Sequence, residues 1–281
     1  MTFVNAEQAE FWAGRAPSWM ALEASHERII GPAGSMAMDR LDPRPGQHLI
    51  DLGCGTGQTT VELARRVGPE GTVLGVDIAA AMLERGREHA AAAGISNIAF
   101  EHADVQSTDL GAARFDGAFS RFGVMFFADP TAAFTNVHRA LKPGGFLSFA
   151  CWQGALDNEW MSVPTIAAVG VLGTMPEMPG PEEPGPFSLA DPDRVTAVLG
   201  AAGFSDIDIL AHADQVHISE ADIAETVQAS LRVGAVQRML EGADDDTVGR
   251  VAAAIDAAMR DRLKDGALAF NRSVLLVRAL A

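Results

Sequence analysis

Short apolar segments alternate with amphipathic segments between residues 46 and 151, and this alternation is the main structural signal of the chain. The apolar segments predict strands near 47–51, 72–76, 97–102, 115–120 and 145–151. The intervening segments predict helices near 57–67, 79–93 and 130–141. Strands that alternate with helices favour a doubly wound α/β sheet.

The pattern changes on both sides of this region. Residues 1–45 have a partly amphipathic helical pattern, and residues 173–187 contain five prolines, which favours a loop. A helix near 191–202, a strand near 204–211, a helical stretch at 219–264 and a last strand, ALAFNRSVLLVRAL, follow. We divide the chain into an N-terminal helical cap (1–45), a doubly wound core (46–152), a Pro/Gly-rich lid (153–190) and the rest of the sheet (191–281) with a helical cap insertion at 213–265.

A glycine-rich turn follows the first predicted strand. The segment HLIDLGCGTGQTTVELA contains Gly53, Gly55 and Gly57, and Asp51 ends the strand before them. Turns that hold a pyrophosphate at a helix N-terminus have the spacing G-x-G-x-x-G, whereas this turn reads G-x-G-x-G. An aspartate aimed into this crevice repels a pyrophosphate and suits an ammonium group.

Two more acidic residues follow successive strands. Asp77 ends the second strand, where an acid accepts hydrogen bonds from both ribose hydroxyls. Asp104 follows the third strand and suits the N6 amino group of an adenine, with the Val105 N–H directed to a ring nitrogen. Apolar faces for the adenine are expected from Ile78 and Met82. Together these residues describe a ligand with an amine, a ribose and an adenine.

With these motifs, residues 47–151 resemble the class I S-adenosylmethionine-dependent methyltransferases, and are similar to the ubiquinone/menaquinone C-methylase group that acts on small molecules. The likeness includes FDGAFSRFGVMFFADP and LKPGGFLSFACW, and extends more weakly into GPFSLADPDRVTAVLGAAGFSDIDI. It implies a Rossmann-like sheet of seven strands in the order 3-2-1-4-5-7-6, with the last strand antiparallel and helical insertions as caps. It also implies S-adenosyl-L-methionine as the cofactor and S-adenosyl-L-homocysteine as the product.

The resemblance assigns roles to individual residues of the expected cofactor site. It implies that the three glycines pack against the methionine part, that Asp77 binds ribose and that Asp104 binds adenine. It further implies that Ser120 and Arg121 line the methionine side. We count Cys54, inside the turn, with the cofactor contacts; it has no paired histidine that would favour a nucleophile.

Methyl transfer is an in-line displacement, so the protein mainly aligns the acceptor and excludes water. The sequence offers His26, Arg121 and Glu159 as weak catalytic candidates. Arg121 is expected to bind a carboxylate or phenolate or else to pair with a nearby acid, and the alternative for His26 is a structural or solvated histidine. An aromatic wall is expected from Phe11, Trp12 and Trp19, with ordinary helix packing as the alternative. An apolar wall is expected from Phe122, Met125, Phe126 and Phe127, with core packing as the explanation of at least two of them.

Composition restricts the partners. The formal net charge of −16 disfavours nucleic acids and anionic membrane surfaces. Two cysteines predict neither a disulfide framework nor a zinc site, and no apolar run reaches the roughly 18 residues of a spanning helix. We expect a cytoplasmic monomer or homodimer with a small-molecule substrate, no metal and no membrane insertion.

The expected function is methylation of O, N, S or C of a small, largely apolar acceptor. About 50 residues separate the last two predicted strands, and such an insertion favours an enclosed pocket. The alternative is a non-methylating enzyme or a regulatory protein that binds the same cofactor on the same fold. An NAD-dependent oxidoreductase is a less favoured third possibility.

Overall fold

The computed structural model describes residues 3–177, 179, 180 and 182–281. Its strands form one sheet in the order β3-β2-β1-β4-β5-β7-β6. β1 to β5 are parallel, and β7 runs antiparallel to both β5 and β6. The strands are β1 (His48–Leu52), β2 (Thr72–Asp77), β3 (Ile98–His102), β4 (Phe115–Arg121), β5 (Leu141–Trp152), β6 (Ser205–Ser219) and β7 (Ala267–Leu280). The predicted Rossmann-like fold and strand order are confirmed.

The helices cover both faces of the sheet and its carboxyl edge. They are α1 (Ala6–Ala21), α2 (Glu23–Leu41), α3 (Gln58–Val67), α4 (Ala80–Ala92), α5 (Pro130–Ala140), α6 (Glu159–Leu172), α7 (Pro192–Ala201), α8 (Ile223–Arg232), α9 (Gly234–Met239) and α10 (Asp245–Arg260). Within the described ranges, none of them is long and apolar enough to cross a bilayer.

Several helices begin at an aspartate that caps the free backbone N–H groups of the first turn. The Asp129 side chain accepts from the N–H of Ala132 at 2.9 Å, and Pro130 occupies the first helical turn of α5. The acidic run before α10 has the same purpose, because Asp244 accepts from the N–H of Thr247 at 2.8 Å. These carboxylates therefore start helices.

Two elements differ from the pattern in the sequence. β6 continues to Ser219, well beyond residue 211, because Val216 and Ile218 alternate with exposed residues and pair with β7. α6 lies inside the segment that we assigned to the lid; it is apolar on nearly all sides and contains Pro164, so it has no amphipathic signature. Met178 and Pro181 of the proline-rich stretch lie outside the described residues.

α2 fixes the N-terminal cap to the sheet. It packs on β4, β5 and β7 through Ala33, Ala37, Met38 and Leu41, all at most 5% exposed. Arg40 adds an exposed ion pair to Asp208 at 2.7 Å. The first turn of α2 therefore stands beside the carboxyl ends of β1 and β4, where the glycine-rich turn lies.

Candidate functional site

The glycine-rich turn joins β1 to α3 at the position where the strand order reverses, which is the usual place for a ligand in such sheets. Gly53, Gly55 and Gly57 all have positive φ, between 55° and 74°. A Cβ atom on Gly53 would lie 2.9 Å from the Cα of Gly123 in the loop after β4. The two loops are thus in backbone contact, which only glycines permit.

The three glycines differ in their surroundings. A Cβ atom on Gly57 would lie 2.8 Å from the ring of Phe100 on β3, and one on Gly55 would meet nothing within 4 Å. Gly53 and Gly57 are therefore required by packing within the chain. Gly55 alone of the three presents open space, so it is the glycine best placed to face a ligand.

Asp51 is fully buried at the end of β1. Its Oδ2 accepts from the hydroxyls of Thr59 and Thr60, both at 2.7 Å, whereas its Oδ1 has no partner among the described residues. Burial raises the pKa of Asp51 to about 6, although the threonine hydrogen bonds oppose the rise. One buried carboxylate oxygen at the crevice is thus available to a donor.

Asp77 organises the turn from the neighbouring strand. Its two oxygens accept from the N–H groups of Gly55 and Ala79, each at 2.8 Å. Burial raises the pKa of Asp77, and these backbone hydrogen bonds oppose the rise. A carboxylate oxygen accepts two hydrogen bonds, so each oxygen retains capacity for a hydroxyl such as those of a ribose.

Asp104 is buried, but its carboxylate already has four donors. Asn5 donates from its backbone N–H and from Nδ2, both at 3.1 Å. The Gln106 N–H and the Ser107 hydroxyl donate at 3.0 Å. The residue expected to recognise adenine is therefore engaged by the N-terminal segment, a contact over 99 positions of sequence that no local pattern indicates.

The residues expected around the adenine are covered by α1. Met82 and Ala79 are at most 3% exposed and pack with Ala16 of α1. Ile78 is partly exposed, and its carbonyl contacts His102 Nε2 at 2.9 Å. Val105 belongs to the main core, with its carbonyl accepting from Asn136 at 2.7 Å. Ile78 is the more accessible of the two residues that we expected to provide apolar faces.

Ser120 and Arg121 end β4, and both have partners within the chain. The Ser120 hydroxyl donates to the carbonyl of Leu52 at 2.7 Å and is fully buried. Arg121 Nη1 donates to both carboxylate oxygens of Glu27 at 2.8 and 2.9 Å, and its stem lies against Gly34. Arg121 therefore holds α2 against the sheet beside the crevice. Pairing with an acid was one of its two expected roles, but the sequence does not identify Glu27 as that acid.

Aromatic rings form two groups around the loop after β4. The α1 row consists of Phe11, Trp12, Trp19 and Phe126, with edge-on ring contacts of 5.0 to 5.7 Å. The β5 stack consists of Phe122, Trp152 and Trp160, in which Phe122 and Trp152 stack at 4.0 Å and Trp152 and Trp160 lie 5.1 Å apart. The loop after β4 carries Phe122 and Phe126, so both groups meet at this loop.

Phe122 has a backbone conformation that bulky residues rarely adopt. Its φ is 62°, in the left-handed region, and its N–H donates to Ala150 on β5 at 3.0 Å. Such a conformation persists only where the surroundings enforce it, and it occurs often at functional sites. Here it places the ring on Trp152. Of the other predicted wall residues, Met125 is buried and Phe127 packs on Phe134.

Two polar atoms beside the aromatic groups are buried and have no hydrogen-bond partner within the described part of the chain. They are Nδ1 of His26, which stacks on Trp19 at 4.1 Å, and Nε1 of Trp160. Burial lowers the pKa of His26 to about 4, so its imidazole is neutral at physiological pH. A neutral imidazole next to an apolar wall can accept a hydrogen bond from a hydroxyl and so orient it, whereas its low pKa disfavours the protonated form.

The remaining candidates lie elsewhere or lack reactivity. Glu159 Oε2 accepts from the N–H of Asn271 at 2.8 Å and borders an open groove of about 440 Å³ beside Asp214 and Arg272, so it does not join the glycine turn. Burial raises the pKa of the Cys54 thiol well above its ordinary value, which argues against a nucleophile. No cluster of metal-ligating side chains occurs among the described residues.

Several known proteins resemble this chain. A family profile described as a methyltransferase domain matches residues 49–145. Nocamycin O-methyltransferase of Saccharothrix syringae is 30% identical over 195 residues, which is 66% of this chain and 69% of that protein. A demethylmenaquinone methyltransferase of Symbiobacterium thermophilum is 34% identical over 113 residues, or 40% of this chain and 44% of that protein.

The fold has matches among solved structures. A methyltransferase-like protein of Bacillus halodurans superposes with a TM-score of 0.57 at 15% identity, over 88% of this chain and 97% of that one. Alignments with several curated relatives span only about half of those proteins' length.

Proposed function

The chain belongs to the class I S-adenosylmethionine-dependent methyltransferases, and from this premise we propose that it methylates a hydroxyl on a small, planar and largely apolar acceptor. The enzyme class and the cofactor follow from the family. The observation that carries the finer proposal is the pair of buried, unpartnered polar atoms, His26 Nδ1 and Trp160 Nε1, beside the two aromatic groups.

The residues of the crevice fit S-adenosylmethionine. Asp51 Oδ1 is a buried acceptor without a partner among the described residues, and an ammonium group would supply the missing donor. Gly55 offers an open backbone surface, and Asp77 keeps acceptor capacity for ribose hydroxyls. We propose these three residues as the main polar contacts, with Ser120 and Arg121 as supports of the methionine side.

When bound, S-adenosylmethionine supplies an electrophilic methyl group on a positively charged sulfur. The residues of the chain position the reactants and exclude water from the crevice. α1 and α2 cover the crevice, and Arg121 fixes α2 through Glu27. The aromatic faces of the α1 row exclude water and favour a cationic neighbour.

The acceptor side follows from the aromatic groups. We place a flat ring system between the α1 row and the β5 stack, because both groups meet at the loop after β4. Trp160 Nε1 is a donor only, so it suits a carbonyl or ether oxygen of the acceptor. The name of the nocamycin O-methyltransferase supports an oxygen rather than nitrogen or sulfur as the methylated atom.

His26 stacks on Trp19 and offers a hydrogen-bond acceptor beside the α1 row. Its Nδ1 would accept a hydrogen bond from the acceptor hydroxyl and orient that oxygen toward the methyl group that bound S-adenosylmethionine would supply. We expect His26→Ala to lower kcat about 10- to 100-fold. The loss should be larger for weakly acidic hydroxyls than for acidic phenols or enols, while His217→Ala, at an exposed site of β6, should change little.

The partner and location proposals rest on net charge and on the cysteines. We propose a cytoplasmic protein without nucleic-acid partners, supported by the net charge of −16 and by two buried cysteines that are both unpaired. A monomer or homodimer is consistent with a site that this chain's own helices enclose.

Methyl-labelled S-adenosylmethionine tests the proposed function with a panel of planar phenols and enols beside amines and thiols. We expect label in an ether product and one S-adenosylhomocysteine per product. Label that enters amines or thiols in preference would contradict the acceptor class. Cofactor that binds and is never consumed would instead support the non-methylating alternative.

A further inference from the structure

Asn5 occupies the carboxylate that the family resemblance assigns to adenine. Its two donors approach the two oxygens of Asp104, and Gln106 and Ser107 supply two more donors. A carboxylate has about four lone-pair sites. Asp104 therefore has no site left for a further donor while Asn5 is in place.

Asn5 is held firmly in this position. It is 4% exposed, and its Oδ1 accepts from the N–H of Ala128 at 3.2 Å. Two residues earlier, the ring of Phe3 meets the ring of His102 edge-on at 5.0 Å. The segment of residues 3–5 is thus docked between the loops that follow β3 and β4.

The same segment leads directly into the cover of the site. Asn5 precedes α1, and α1 packs on Ala79 and Met82 through Ala16. Met82 is one of the residues that we expected to face the adenine. The N-terminal segment consequently occupies the polar contact of the purine and overlies an apolar one.

We propose that Asn5 competes with the 6-amino group of the purine for Asp104, and that Asn5 is thereby a specificity-determining residue of the cofactor site. The inference rests on the proposed function. With Asn5 docked, the amino group gains a hydrogen bond to Asp104 only by replacing one from Asn5. The net gain in binding free energy is therefore close to zero. Without the Asn5 side chain, one acceptor site on Asp104 is open to the amino group.

Calorimetric titration with two ligands tests this competition: S-adenosylhomocysteine, and its analogue whose purine carries hydrogen in place of the 6-amino group. In the wild-type protein we expect the two Kd values to agree within about threefold, and in Asn5→Ala we expect the amino ligand to bind about tenfold or more tighter than the analogue. Because both Kd values are measured on the same variant, their ratio is insensitive to a general loosening of α1, which would weaken both ligands equally. Asn5→Ser provides the same comparison if Asn5→Ala folds poorly.

Phe3→Ala is the matched control, since it removes the other anchor of the segment and leaves the donors of Asn5. We expect its ratio of the two Kd values to equal that of the wild type. In the double variant Asn5→Ala/Asp104→Ala we expect the Kd ratio to return to the wild-type value. An unchanged ratio in Asn5→Ala, or an equal rise in Phe3→Ala, would overturn the competition. Absence of binding of both ligands to the wild-type protein would contradict the proposed function itself.

Discussion

The crevice at Asp51 and the loop at Asp104 both contain a buried carboxylate after a parallel strand, but they are built differently. The crevice is closed by backbone contact between Gly53 and Gly123, and Asp51 keeps one oxygen without a partner in the part of the chain that the structure describes. The Asp104 loop is closed by hydrogen bonds from Asn5, Gln106 and Ser107, and no acceptor site remains. We propose the first carboxylate as a ligand contact and the second as an anchor of the cap.

The largest effect is expected at the backbone contact of the crevice. Gly53→Ala places a Cβ atom 2.9 Å from Gly123 Cα at a φ of 64°. We expect the free energy of unfolding, measured by urea denaturation, to fall by about 3 to 4 kcal/mol. Gly55→Ala has strained φ but open space, so it should lose only about 1 kcal/mol. Equal losses would show that the backbone contact does not close the crevice.

The next effect concerns the side-chain anchor. Asp104→Ala leaves the buried donors of Asn5 without their acceptor, so we expect a loss of about 2 to 3 kcal/mol in the free energy of unfolding. Hydrogen exchange should show faster opening of α1, with α3 unchanged. Serine at position 107 contributes one partly exposed bond, and Ser107→Ala should lose less than about 1 kcal/mol. Unchanged exchange in α1 would contradict the role of Asp104 as an anchor.

A smaller effect is expected from pH. Burial holds the pKa of Asp51 at about 6, above its value of about 4 in the unfolded chain, and burial raises the pKa of Asp77 too. Between these two pKa values the folded chain binds more protons than the unfolded chain. The free energy of unfolding without ligand therefore falls as the pH rises from about 4 to 6. A ligand ammonium prefers the ionised form, so affinity should move the opposite way.

We therefore expect the Kd of S-adenosylhomocysteine to be about tenfold higher at pH 5 than at pH 7, as measured by calorimetry. Asp51→Asn is the control, because it removes the principal titrating group and should flatten the profile. A profile that keeps its full slope in Asp51→Asn would assign the titration to another group, such as Asp77.

The smallest effect is expected at Cys54. Its thiol is buried and next to Gly75, and its pKa is raised, so it serves packing. We expect Cys54→Ala to change the free energy of unfolding by about 1 kcal/mol and the Kd of S-adenosylhomocysteine less than about threefold. Rapid alkylation of Cys54 in the native protein would contradict this assignment.

The sheet and the position of the three aspartates could be predicted because local patterns determine them. Strand and helix periods set the order of elements, and the glycine spacing marks a turn that needs positive φ. The partners of those aspartates could not be predicted, since Asn5 and Asp104 are 99 positions apart. The bounds of α6 could not be predicted, because its apolar residues surround the helix and leave no amphipathic period. The full length of β6 could not be predicted either, because its first half has few buried residues to mark an alternation.

The pairing of Thr59 and Thr60 with Asp51 is an intermediate case. Both hydroxyls lie in the first turn of α3, which points back to the end of β1. Two adjacent threonines at a helix start beside a buried acid are a usable signal in the sequence. The ion pair of Arg121 with Glu27 gave no such signal, because α2 and β4 meet only in the tertiary fold.

We propose that Asp51 holds the ammonium group of the cofactor. A double-mutant cycle measured by calorimetry is the most direct test of this contact. The ligands are S-adenosylhomocysteine and its analogue that lacks the α-amino group, and the proteins are wild type and Asp51→Asn. We predict that the wild type binds the amino ligand about 100-fold more tightly than the analogue and that Asp51→Asn discriminates less than about fivefold. The same discrimination in both proteins would contradict the account.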